Sequence, residues 1–235
     1  MQHLYFRMAL MIFQIFCLGN HRVEAQIGSW NILNAKLTLD SSWQVSAEGQ
    51  IRSLSFYNEF HYYEYKSALT YSVSKTRSIT TGIGSYRTFL SGGNFRTPAA
   101  VKEIRSWLEF SMRDPGRILL LEHRYRIEQR YTNNGFRNRF RYRLGAILPL
   151  RKKSDYFLAG WGEIFFTNRQ PYFERIRSSI VIGKKFPAMT VHAGYLHQFD
   201  YKINDETGRS FFQVSMNFTL SKSKFKTVSV PFQEG

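Results

Sequence analysis

Leu119-Leu120-Leu121-Glu122-His123-Arg124-Tyr125-Arg126-Ile127-Glu128-Gln129-Arg130-Tyr131 is followed, after a short connection, by Arg137-Asn138-Arg139-Phe140-Arg141-Tyr142-Arg143-Leu144. The reading of these two runs decides the fold. Side chains alternate across a strand with a period of two residues. In the first run Leu119, Leu121, His123, Tyr125, Ile127 and Tyr131 share one face, and Glu122, Arg124, Arg126, Glu128 and Arg130 share the other. In the second, Phe140, Tyr142, Leu144, Ala146 and Leu148 oppose Arg137, Arg139, Arg141 and Arg143. A helix would scatter these arginines around its circumference; a strand gathers them on one side.

The same division recurs along the chain. Trp43, Val45, Ala47, Gly49 and Ile51 oppose Gln44, Ser46, Glu48, Gln50 and Arg52. Tyr63, Tyr65, Leu69, Tyr71 and Val73 oppose Glu64, Lys66, Ala68, Thr70 and Ser72. Near the end, Phe212, Val214, Met216, Phe218 and Leu220 oppose Gln213, Ser215, Asn217 and Thr219. The segments run to about 10–14 residues, longer than the strands of most soluble sheets and as long as those that cross a bilayer. Nowhere is there a helix-period segment to cover the apolar faces. Closure into a barrel with those faces outward satisfies all strands at once, because it leaves no sheet edge and no uncovered backbone. The expected fold is therefore all-β, an antiparallel transmembrane β-barrel of about 10–12 strands with a polar, Arg/Glu-rich interior.

The first residues read as a secretory signal peptide. Arg7 precedes an apolar run over residues 8–19, which is too short for a spanning helix, and Val23-Glu24-Ala25 resembles a cleavage site. Residues 1–25 are thus expected to be removed after Ala25, leaving residues 26–235 as one barrel domain in the outer membrane of a Gram-negative cell. Cys17, the only cysteine, lies inside that leader beside Phe16, a poor context for lipoprotein processing. The mature chain is left without disulfide, thiol nucleophile or cysteine metal site.

Turn signals divide the remainder into about eleven strands, near residues 29–39, 43–56, 60–73, 78–90, 102–113, 117–131, 137–150, 156–166, 174–186, 189–203 and 210–220. Asp114-Pro115-Gly116 is the sharpest turn. Connections alternate between short and mostly longer ones, as periplasmic turns and external loops do in outer-membrane barrels. That rule makes an even barrel from residues 43–220 and leaves the strand at Trp30 over, so the tail at residues 225–232 is expected to supply a partner, for about twelve strands.

Several of these features together resemble the bacterial domain-of-unknown-function family number 2490, a set of predicted outer-membrane barrels. They are the Trp30 strand, Trp43 through Glu48 to Arg52, Arg105-Ser106-Trp107, the run from Arg124 to Arg130, Arg139 to Arg143, Glu163, and Gly194-Tyr195. The resemblance spans nearly all of the chain after the leader. It implies the fold and the location and brings no activity with it.

Chemistry, if there is any, belongs to the interior. A hairpin at Asp114-Pro115-Gly116 with Arg113 facing Ile118 sets Glu109 opposite Glu122, Trp107 opposite Arg124, Arg105 opposite Arg126 and Glu103 opposite Glu128. The turn near residues 151–155 sets Arg143 opposite Glu163. The expected charge network is Arg105, Glu109, Glu122, Arg124, Arg126, Glu128, Arg130, Arg139, Arg141, Arg143 and Glu163. Its leading reading is a scaffold whose narrow lumen is filled by ion pairs. The alternative is an anion-attracting channel or a ligand-binding barrel. An acid/base pair acting on sugars is disfavoured, because so many guanidinium groups keep carboxylates ionised.

Other chemistries fare worse. The same hairpin places Ser106 and His123 diagonally on the outer face, as in barrel hydrolases acting on lipid A, but no outward carboxylate is evident to orient the imidazole. His61, His192 and His197 lack metal spacing, and no phosphate-binding glycine loop appears, so no cofactor is expected. The chain has 33 Lys+Arg against 17 Asp+Glu, a formal net charge of +16. That charge ordinarily suggests nucleic acid, but here the arginines alternate inward instead of forming an exposed stripe. Expected partners are outer-membrane lipid and lipopolysaccharide, with the barrel-assembly machinery during biogenesis; nucleic acid is not among them.

Overall fold

A computed structural model describes residues 26–92, 94–116, 118–150, 154–201 and 207–221. The proposed leader and the tail at residues 225–232 lie outside these. The described chain forms eleven strands: β1 (Gly28–Thr38), β2 (Trp43–Ser55), β3 (Asn58–Ser72), β4 (Arg77–Thr88), β5 (Val101–Pro115), β6 (Leu120–Thr132), β7 (Gly135–Pro149), β8 (Tyr156–Thr167), β9 (Phe173–Lys185), β10 (Met189–Asp200) and β11 (Thr207–Ser221). Each corresponds to a segment marked by the period-two pattern.

Each strand pairs with its sequence neighbours, and β1 closes on β11 into a barrel. Consecutive strands are antiparallel, but the closing pair is parallel, from Gly28↔Phe211 to Thr38↔Ser221. The barrel is therefore mixed, which corrects the expectation of a wholly antiparallel sheet. An odd number of up-and-down strands forces this, since the first and last then run the same way. The eleventh strand closes the wall, so no twelfth is needed. Parallel pairing is slightly weaker per residue, yet this seam runs the full length of β1.

One rim of the barrel, here the N-rim, holds the start of β1 and the ends of β2, β4, β6, β8 and β10. The opposite C-rim holds the ends of β1, β3, β5, β7, β9 and β11. Two of the N-rim connections are two-residue turns and only the one at 89–100 is long. The expected alternation of short turns with long loops does not hold.

Every strand turns large apolar side chains outward. Leu33, Leu108, Ile127 and Ile182 are 54–56% exposed on the outer surface, and Tyr65, Phe140, Leu158, Tyr195 and Met216 continue the belt around the remaining wall. A soluble monomer rarely exposes an apolar patch beyond roughly 300–600 Å². Inside, the order is inverted. Glu128, Arg139 and Glu163 are at most 2% exposed, while among apolar groups Trp30, Leu196 and Phe211 form one small cluster with Ile32 and Trp161 against it.

Two bulges re-aim side chains. Between Phe165 and Phe166 the β8–β9 register slips, Phe165 facing Arg175 and Phe166 facing Phe173, so that Glu174 is the extra residue. Between Arg52 and Ser53 the β2–β3 register slips around His61. An inserted residue breaks the alternation and lets adjacent side chains turn to one side. Glu174 and Arg175 both find partners within the interior.

Candidate functional site: the ionic interior

The β5–β6 hairpin sets the geometry. The strand continues through Asp114 and Pro115, and the turn closes by Gly116 N–H donating to the Leu119 carbonyl. Arg113 therefore faces Glu122, Glu109 faces Arg126, Trp107 faces Glu128 and Arg105 faces Arg130. The register expected from the Asp-Pro-Gly turn was four residues different and is corrected. A shift by an even number keeps every side chain on its face. It also replaces the expected Glu109–Glu122 pair by Glu109–Arg126 and Arg113–Glu122, since like charges directly opposite are destabilising, and the opposed Arg105 and Arg130 share the carboxylate of Glu103.

From this register a ring of alternating charge closes across β5, β6, β7 and β8. Glu128 meets Arg141, whose Nη2 lies 2.8 Å from Glu163. Glu163 accepts from Arg124 Nη2 at 3.0 Å, and Arg124 Nε lies 3.5 Å from Glu109. Glu109 accepts from Arg126 Nε at 2.6 Å, and Arg126 returns to Glu128 at 3.6 Å. Three guanidinium groups and three carboxylates thus neutralise one another in a closed circuit.

Further pairs extend it toward the N-rim. Arg139 donates to Glu128 through Nε at 2.8 Å and approaches Glu174 at 3.5 Å. Glu174 also takes Arg130 at 3.1 Å, and Arg130 bonds Glu103, which grips Arg105 in a two-pronged contact at 2.7 and 2.8 Å. Across the lumen Glu64 meets Arg52 at 3.3 Å and Lys66 at 2.8 Å, and Lys66 reaches Glu48 at 2.6 Å. Aromatic rings cover the guanidinium planes. Arg52 lies 3.3 Å from the Trp30 centroid and 4.0 Å from that of Tyr62, Arg105 lies 3.7 Å from Tyr86, and Arg141 lies 4.7 Å from Phe165, which is fully buried. Such stacking stabilises a cation most where water is excluded.

Of the residues expected from sequence, Arg105, Glu109, Arg124, Arg126, Glu128, Arg130, Arg139, Arg141 and Glu163 come together in this one network. Glu122 does not; it pairs with half-exposed Arg113 at 3.0 Å toward the C-rim. Arg143 faces Glu163 in the register, but its guanidinium lies 3.6 Å over Trp161 and forms no ion pair among the described residues. Glu174, Arg52, Glu64, Lys66 and Glu48 also belong to the interior and lie outside the expected network, and Glu103, expected opposite Glu128, faces Thr132 and joins the network through Arg105 and Arg130. The inward parity of residues 43–52 and 63–73 carried the signal for four of these. For Glu174 the signal was its adjacency to Arg175, two charges in succession where alternation allows one.

The expected Ser106–His123 diagonal is not formed. Ser106 faces Gln129 and donates to it at 3.0 Å, whereas His123 faces Met112, further along both strands. The corrected register does place an outward carboxylate near the imidazole, with Asp114 3.6 Å from His123 Nε2 and Tyr142 Oη 2.9 Å from Nδ1. Among the described residues no serine joins His123 there to complete a triad.

Toward the C-rim the lumen changes character. A cavity of about 550 Å³ lies there, lined by apolar groups that include Trp30, Ile32, Phe157, Trp161, Val181 and Leu196 and by charged and polar ones. A smaller cavity shares Asn34, Lys36, Glu48 and Arg113 with it and adds the hydroxyls of Ser46, Thr70, Ser78, Thr80 and Ser111. A third, bounded by Asp40, Ser42 and Lys75 of the connections, carries this space to the rim. The interior is thus a plugged half joined to a hollow one.

Closed wall, inverted polarity and ion-paired plug together define a class, the small mixed β-barrel with a charged interior. Within it the chain belongs to the family described as Protein of unknown function (DUF2490), which it matches over residues 27–209, from the start of β1 into β11. Comparison with curated proteins and with solved structures returns no significant match.

Proposed function

We propose that this protein is an outer-membrane barrel that does not conduct, a scaffold whose N-rim half is sealed by the Arg/Glu ring and whose C-rim half is an aqueous vestibule. One observation carries the reading. Each of the eleven strands turns apolar side chains outward, while the charged faces meet and neutralise one another inside. Hydrocarbon requires an apolar, edgeless wall, and a closed sheet provides it. A lumen bridged by ion pairs at 2.6–3.6 Å, with Phe165 and the Trp30 cluster packed among them, leaves ions no continuous aqueous path.

Cell fractionation and planar-bilayer recording test it together. The protein should pellet with outer membranes, resist alkaline extraction and migrate faster on gels when unheated, and purified barrels should add no steady conductance. Recovery in the soluble periplasmic fraction would overturn the membrane reading. Stable, anion-selective conductance would instead favour the channel alternative.

A further inference from the structure

The vestibule holds charges that the plug does not. In the N-rim half nearly every guanidinium meets a carboxylate, but Arg143 stands apart on β7. Its Nε is buried without a hydrogen-bond partner, and its plane rests on Trp161. Arg143 lines the large cavity together with Lys36, Lys185 and His192, and among the described residues none of the four forms an ion pair with a carboxylate, while the carboxylates that line it, Glu48, Glu122 and Glu163, are each taken by another cation. Between them lies an apolar floor. Trp161 and Ile32 pack against the cluster of Trp30, Leu196 and Phe211, and Val181 continues the surface.

An unpaired buried donor such as this Nε is costly, and a half-buried guanidinium that touches no carboxylate keeps its charge available to an anion entering the cavity. A cavity that combines such a group with an apolar floor is suited to a ligand that is anionic at one end and apolar at the other. We propose that the vestibule is a binding site for a small amphiphilic anion, its acidic head on Arg143 and its apolar part on the floor formed by Trp161, Ile32, Val181 and Leu196. Lys185 and His192, at the other edge of the floor, add positive charge and favour entry of anions over cations. A neutral amphiphile of the same length would fill the floor but leave Arg143 unpaired; a cationic one would be repelled. This assignment deepens the closed-lumen reading, because a pocket with a sealed floor holds a ligand where an open pore passes it.

Calorimetric titration of the purified barrel in lipid nanodiscs tests it, with octanoate, octanol and octylammonium as probes and empty nanodiscs as the blank. Octanoate should bind saturably, one per barrel, octanol should bind at least roughly tenfold more weakly, and octylammonium should give only the heat of the blank. Arg143→Gln should weaken octanoate by roughly tenfold to a hundredfold, the loss of one charge-assisted hydrogen bond. The variant should keep its unheated gel mobility, since no carboxylate is left without a partner. Lys185→Gln, nearer the rim, provides a second reading and should weaken binding less. Lys184→Gln removes a neighbouring charge from the outer surface, where Lys184 sits over Tyr156 and Phe186, and should change nothing. Equal binding of octanol, no saturable octanoate signal, or equal losses in Lys184→Gln and Arg143→Gln would each overturn the site. Failure of the closed-lumen reading looks different. Steady bilayer conductance alongside Arg143-dependent octanoate binding would remove the seal and leave the site standing.

Discussion

The two halves of the lumen are built from the same strands with the same inward parity, yet they solve opposite problems. Toward the N-rim, Glu128 and Phe165 are at most 1% exposed, and the charges there occur in alternating sign and close contact. Toward the C-rim many inward positions are small or hydroxylated, such as Ser46, Thr80 and Ser111, and cations such as Lys36 stand without ion-pair partners among the described residues. Water explains the difference. A charge can be left alone where solvent reaches it, while a buried charge persists only with a counter-ion and hydrogen bonds. Strand pattern alone therefore does not say whether an inward arginine is structural; its access to water does.

The comparison can be broken most decisively at the ring. Glu128→Gln leaves Arg139 and Arg141 facing a neutral amide and should destabilise the barrel by about 3–5 kcal/mol, read from urea unfolding in vesicles. A midpoint unchanged from wild type would mean that the plug is wet and that the halves do not differ. The outer wall at the same height should answer almost as strongly. Ile127→Arg puts a charge among outward apolar groups, and a loss of about 2–4 kcal/mol is expected if hydrocarbon lies there. Tolerance of that change would argue against the membrane reading.

A double-mutant cycle sharpens the contrast within one strand. Glu163→Gln with Arg141→Gln should show coupling of about 0.5–3 kcal/mol, because these side chains touch at 2.8 Å. Glu163→Gln with Arg143→Gln should show clearly weaker coupling, because Arg143 faces Glu163 in the register but forms no ion pair with it and lies on Trp161. Equal coupling in both cycles would show that Arg143 belongs to the plug after all. The smallest effect belongs to the vestibule. Ser46→Ala should stay within about 0.5 kcal/mol of wild type, as replacements at wet, loosely packed positions do.

The strands themselves were legible in the sequence because a period of two is a local property, and a buried-versus-exposed division repeated eleven times leaves little else for the chain to do. Most of the charge network was legible for the same reason, since parity decides the face. Three things were not. The parallel seam joins Gly28 to Phe211, residues too far apart in the chain for any local signal to connect them. The β5–β6 register followed charge pairing instead of the strongest turn residues: Asp114 and Pro115 read as a turn but extend the strand, and Glu109 meets Arg126 as a result. The separation of plug from vestibule depends on how large inward side chains stack across the lumen. Gly82 illustrates this, since a Cβ there would lie 2.2 Å from the Trp107 ring that fills the space above it.

The odd strand count also bears on how the chain can be rewired. The start of β1 and the end of β11 sit at opposite rims, although they belong to adjacent strands. In an even barrel a few residues suffice to join the two ends and open the chain elsewhere. Here a circular permutant needs a linker as long as the wall is tall, about 3.3 Å per residue over the eleven paired positions of the seam, before any new opening is made. The same geometry sends tags at the two ends to opposite faces. One attached before Gly28 and one attached after Ser221 should respond to different impermeant labels, so that a pair of tags on a single chain reads out its orientation without reference to any loop.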